Sequence, residues 1–259
     1  MRELVAVLTH ADTADAVLAA AALAAARLPG AAIAVLHPRR AADPSFLPTE
    51  EVMTPARQAH FAAGEATRSA AVRAAFDAWP GAAAATWREV AGDPAAIVAE
   101  AAGRADLLLI GRSADAAAIE AALFAAGAPL LLVPAAAVAT LGRHIAVAWK
   151  PGATAERAVV AATPLLRAAE DVTVLIGGDA PADGPPDMLV QALGRAPRTI
   201  RFARATETIG AALLREAQSA GCDLLVMGAY AHRRATEALL GGATRDIIAT
   251  GAMPVLLHH

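Results

Sequence analysis

Two doubly wound, five-stranded parallel-sheet domains of the α/β class are predicted by three features of this sequence. Short apolar segments alternate with alanine-rich helical ones along all 259 residues. The alternation runs through twice, with Val5-Ala6-Val7-Leu8 answered by Ile145-Ala146-Val147-Ala148 at an offset of 140. Runs such as Leu107–Ile110 and Leu224–Met227 contain no polar residue, as expected of parallel strands covered on both faces.

In the first copy the spacing predicts strands near 3–9, 31–37, 84–90, 106–111 and 129–133. Asp12 precedes an alanine-rich helix, Thr54-Pro55 opens one that runs to about Trp79, and Asp93-Pro94 opens another. A capping oxygen followed by proline at the first helical position satisfies one free N–H and removes another. Val72, Phe76 and Trp79 recur at helical spacing and mark a core face. Gly127 is expected to end the helix before the fifth strand.

The second copy places strands near 143–149, 172–177, 197–203, 223–228 and 253–258, with a helix over 206–220 closed by Gly221. Asp106-Leu-Leu-Leu-Ile-Gly111 matches Asp223-Leu-Leu-Val-Met-Gly228, and Pro129–Val133 matches Pro254–Leu257. Two domains, 1–134 and 143–259, are therefore expected on either side of a linker at 135–142. Their difference is greatest after strand two, where the first copy inserts the long helix and the second has Gly184-Pro185-Pro186, read as loop. An aspartate before strand four in both copies implies a shared structural role.

Composition excludes several classes. A net charge of −3 provides no basic field for nucleic acid, and 3% aromatic content supplies no stacking platform. Mean hydropathy is positive, but the longest uncharged run, Ala121–Gly142, is rich in alanine and broken by Gly127, Pro129 and Pro134. No membrane span and no signal peptide are expected, and the predicted compartment is the cytoplasm. A single cysteine, Cys222, rules out an intrachain disulfide and reads as a packed thiol. No P-loop, nucleophile elbow, H-E-x-x-H or Cys/His cluster is present, so no catalytic residue and no metal are predicted.

The ligand signal lies in the last 37 residues. A strand ending at Gly228 is followed by a polar loop, the pair Gly241-Gly242, and a helix. Unpaired N–H groups and the positive end of the helix dipole suit a phosphate there. A tight turn required by the fold is the alternative reading of the same glycines. His232, Arg233 and Arg245 are candidate phosphate-lining residues; a cation at Arg245, in the first helical turn, is disfavoured unless an anion binds. Tyr230 is expected to pack locally.

The doubled unit, with Gly228-Ala-Tyr-Ala-His-Arg-Arg through Leu240-Gly-Gly-Ala-Thr-Arg, resembles the universal stress protein family in its tandem form. That resemblance implies a Rossmann-like, adenine nucleotide alpha hydrolase-like fold. It also implies an internal pseudo-dimer, with strands 129–133 and 253–258 paired across the domains, and allows a homodimer beyond it. Family members that bind ATP carry G-x2-G-x9-G followed by Ser or Thr. On that motif Gly228 and Gly241 match, Ala231 replaces the second glycine, and Gly242 stands at the hydroxyl position. Thr244 supplies a hydroxyl two residues on, and Lys150 stands where an acid usually follows the first strand. The implied nucleotide site comprises Gly228, Ala231, Gly241, Gly242, Ala243, Thr244, Lys150 and Ile176, with ATP as the ligand. The first copy lacks the glycine pair, and its loop is eight residues shorter, so its ligand loop is read as degenerate. The resemblance implies a binding or regulatory protein without turnover. Its alternatives are a scaffold acting through protein contacts or another small ligand, and a weak ATPase that lacks an evident general base.

Overall fold

The computed structural model describes residues 2–43, 54–125, 127–178, 184–203, 206–229 and 242–259. Among these residues ten strands form one sheet: β1 (Arg2–Val7), β2 (Ala31–Arg40), β3 (Thr86–Gly92), β4 (Leu107–Gly111), β5 (Leu130–Val133), β6 (His144–Ala148), β7 (Asp171–Gly177), β8 (Arg198–Phe202), β9 (Leu224–Gly228) and β10 (Val255–His258). Their order is β3-β2-β1-β4-β5-β10-β9-β6-β7-β8. Within each half every neighbouring pair is parallel. At the centre β5 and β10 pair antiparallel, Leu131 opposite Leu256, which joins the halves as the sequence predicts.

The helices are α1 (Ala14–Arg27), α2 (Pro55–Ala78), α3 (Pro94–Ala102), α4 (Ala116–Phe124), α5 (Ala153–Ala168), α6 (Asp187–Leu193), α7 (Ile209–Ser219) and α8 (Gly242–Thr250). Thr54 accepts from the Arg57 N–H and Asp93 from Ala95 and Ala96, so both predicted caps form ahead of a proline. Asp12 behaves differently: it lies in a 3-10 turn, and α1 starts after Thr13 with no side-chain cap. Gly221 takes the left-handed φ of +74° expected after α7. Helix α6 was not legible behind the two prolines that precede it. Gly127 is not a left-handed cap; a Cβ there would lie 2.6 Å from the Ala102 carbonyl oxygen. It is glycine because the chain crosses the end of α3.

Two hydrophobic layers cover the sheet, and each runs through both halves. One unites α1, α2 and α5 with Leu131, Val133, Ile145 and Leu256. The other unites α3, α4, α7 and α8 with Leu130, Leu132, Val255 and Leu257. The two fourth-strand aspartates do the same work: Asp106 accepts from the Glu3 N–H, Asp223 from those of Arg143 and His144. Among the described residues no helix is long and apolar enough to cross a membrane.

Because the central pair is antiparallel, the carboxyl ends of β1, β2, β4 and β5 lie along one rim of the sheet. Those of β6, β7, β9 and β10 lie along the opposite rim. Ligands of open α/β sheets bind beyond the carboxyl ends of strands, so the two halves present their crevices in opposite directions.

Candidate functional site

The second half's crevice lies beyond β6, β7 and β9. Helices α5 and α8 are crossovers between parallel strands, so both point their N-termini at this rim. Gly228, at the end of β9, packs on the first turn of α5: a Cβ there would lie 2.6 Å from the Thr154 carbonyl carbon and 2.8 Å from the Ala155 nitrogen. Gly242 opens α8, is exposed, and has no neighbour within 4 Å of where a Cβ would be. Lys150 is exposed between β6 and α5, and Arg245 is exposed in the first turn of α8. Ala243 is half-buried.

Two candidates turn inward. Thr244 is only 3% exposed and Ile176 1%, the latter within the core layer that also holds Trp149. Thr244 therefore does not offer a solvent-facing hydroxyl in place of the one missing at Gly242. A cleft of about 380 Å³ adjoins this rim, lined by Thr206, Thr208, Gly242, Arg245 and Asp246 among others. Ala231, His232, Arg233, Gly241 and Tyr230 lie outside the described residues. Among the described residues no three His, Cys, Asp or Glu side chains gather to hold a metal.

The first half is built differently at the corresponding rim. Strand register superposes Leu4, which faces Leu107, on Ile145, which faces Leu224. The sequence offset is thus one residue out at the first strand, and Lys150 corresponds to Thr9, not His10. By the same logic Ile33, opposite Leu4, corresponds to Val172, and His37 takes the place of Ile176. His37 is fully buried. Its Nδ1–H donates to the Leu8 carbonyl at 2.7 Å, so Nε2 accepts from the Ser69 hydroxyl at 3.1 Å. Arg68 donates to the carbonyls of Thr9 and Pro38 and to the Glu65 carboxylate, while Glu65 accepts from the Arg40 N–H at 2.7 Å. The middle of α2 is thereby bolted to the ends of β1 and β2 and covers that part of the crevice. Burial disfavours the charged form of Glu65, but Arg68 and the Arg40 N–H outweigh it and hold the carboxyl below its ordinary range. The sequence leaves open whether the helix over 54–79 covers this crevice or forms an outer contact surface; the polar residues Glu65 and Ser69, which continue the core face of Val72 and Phe76, were the signal that could have decided it.

Burial pushes the His37 imidazole below its ordinary pKa, only partly offset by Leu8. The unfolded chain takes up the proton first, so this histidine contributes stability above pH about 6.5 that is lost as pH falls toward its folded value. Urea midpoints at pH 7.5 and 5.5 should therefore diverge in the native protein and move closer together in His37→Asn. Burial also raises the Cys222 thiol to about 11, as befits the packed thiol predicted.

Arg112 is the other residue the sequence did not disclose. It follows β4 at the position matched by Ala229, and both residues donate their N–H to a fifth-strand carbonyl, Val133 and His258 respectively. Its guanidinium crosses to the other half and donates to the carbonyls of Ile247, Ile248 and Met253, at the C-terminal end of α8.

These features meet known proteins at two levels. A family model described as the universal stress protein family matches residues 144–259. That match makes the second half of this chain similar to a universal stress protein domain. Solved structures extend the likeness to the full length. A universal stress protein from Archaeoglobus fulgidus DSM 4304 superposes with a TM-score of 0.66 at 14% identity, covering 99% of this chain and 97% of its own. A candidate universal stress protein from Pseudomonas aeruginosa UCBPP-PA14 gives 0.61 at 14%, covering 100% and 93%. No curated protein matches by sequence. Full-length superposition fits a tandem layout of two halves that share one fold.

Proposed function

We propose that this is a tandem universal stress protein whose second domain binds an adenine nucleotide without turning it over. The convergence of the α5 and α8 N-termini on one rim, with Lys150 exposed between β6 and α5, carries the reading. Two positive dipole ends and an ammonium group favour an anion there. On this reading the phosphates lie against the first turn of α8 from Gly242, with Gly228, Ala231 and Gly241 shaping the loop and His232, Arg233 and Arg245 at its border. The adenosine lies toward the ends of β6 and β7, near Lys150 and Ile176. The proposed compartment is the cytoplasm. The first domain, its crevice partly covered by α2, serves as a structural partner.

Calorimetric titration of the whole protein with ATP, alongside mass spectrometry of the purified protein, tests the reading. Saturable heat or retained nucleotide is expected; neither of these, with no shift in melting, would sink it. A gain-of-function arm is sharper. Gly242 has open space and no left-handed φ, so Gly242→Ser restores the family hydroxyl without strain. One added hydrogen bond to a phosphate, about 1 kcal/mol, should tighten ATP roughly fivefold. Unchanged affinity would place the phosphates elsewhere.

One observation favours the scaffold alternative: Trp149, just before Lys150, is buried in the core layer with Ile176. If its bulk closes the adenosine end, Trp149→Val should create ATP binding that the native chain lacks.

A further inference from the structure

We infer that Arg112 of the first half is a positioning residue for α8, so that the first half sets the placement of the anion-binding end of the second half's crevice. The inference rests on the nucleotide reading for its ligand arm only. Its geometry comes from the opposed rims. Arg112 stands at the carboxyl end of β4, on the first half's rim, and α8 runs from there to the other rim. With nine residues α8 spans about 13 Å, a stiff rod of two and a half turns. Holding one end fixes the other.

The grip is specific. Three carbonyl oxygens at the end of α8 and beyond it, those of Ile247, Ile248 and Met253, accept from Arg112; the Ile247 oxygen also takes the Gly251 N–H, so Arg112 uses its second lone pair. A cation here also complements the negative end of the dipole. The guanidinium rests against Gly251, where a Cβ would meet Nη2 at 2.5 Å, so glycine is the socket. Burial is deep enough to pull the guanidinium down to about 10, and Nε has no partner among the described residues. At its other end α8 sits in a notch made by Gly210 of α7, where a Cβ would lie 2.7 Å from the Ala243 carbonyl oxygen. Ala229, the counterpart of Arg112, has only a methyl and cannot make the same grip. The grip is therefore supplied by the first half.

Arg112→Ala and Arg112→Lys test it in the full chain, by hydrogen exchange and by titration with ATP and adenosine. In Arg112→Ala the amides of α8 should exchange at least tenfold faster, while those of α5 and the strands keep their protection. ATP affinity should fall about tenfold and adenosine affinity stay unchanged, because adenosine does not reach α8. Arg112→Lys, with a cation but no fork, should fall between. Native-rate exchange in α8, uniform loss of protection across the fold, or equal loss for ATP and adenosine would each overturn the inference. If the native protein binds neither ligand, the nucleotide reading fails by itself. Exchange at α8 then decides the positioning role: local acceleration supports it and native-rate exchange overturns it.

Discussion

Gly228→Ala will destabilise the protein by about 3 kcal/mol in urea unfolding, the upper end of what a forced methyl costs in a packed site. The new Cβ would meet the backbone of Thr154 and Ala155 at 2.6–2.8 Å, and backbone cannot rotate aside as a side chain can. The matching substitution in the first half, Gly111→Ala, places its Cβ 3.4 Å from Val17 Cγ2 and should cost less than about 1 kcal/mol. The contrast separates two reasons for the same glycine. A large loss at 228 shows that the motif's first glycine is held by helix packing, before any phosphate is considered. Small and equal losses would return it to the ligand.

Leu256→Asp should have the largest effect of all. Leu256 faces Leu131 across the central pair, and both are fully buried. A carboxyl there has its pKa pushed up by about three units, which alone costs about 4 kcal/mol at neutral pH, with lost apolar contact in addition. The folded state then binds the proton more tightly than the unfolded one, so the defect should ease as pH falls from 7 to 5. Unfolding midpoints at those two pH values check both the size and the sign. A mild effect without pH dependence would mean that the two halves do not depend on this pairing.

The inner strands were legible as short, largely apolar runs between turn residues, because buried parallel strands tolerate little else, whereas the edge strands β3 and β8 mix polar and apolar residues and were placed by the repeat. Repetition made the two halves legible, and the central pairing followed from resemblance and from two apolar edges that needed cover. Gly127 misled because a glycine near a helix end signals a left-handed turn, whereas here it serves a close crossing of α3. Arg112 was hidden for a related reason. Its partners are main-chain carbonyls more than 130 residues away, and backbone acceptors carry no residue type for a sequence pattern to detect. The candidate site was legible as a motif, with Gly242 and Lys150 found exposed at the expected rim. Burial of Thr244 and Ile176 was not, since a helix's first turn gives no clue to which side faces the core.

Joining the halves in one chain changes what a single substitution can do. In a dimer of identical subunits, an arginine placed after the fourth strand would appear twice, and both helices before the fifth strands would be gripped or neither. Here the two sides of the antiparallel join are separate stretches of sequence, free to diverge. Arginine at 112 has alanine at 229 as its counterpart, and α2 covers one crevice while the opposite rim carries the glycine-led helix. The two halves thus divide the labour, with Arg112 of one holding the end of α8 in the other.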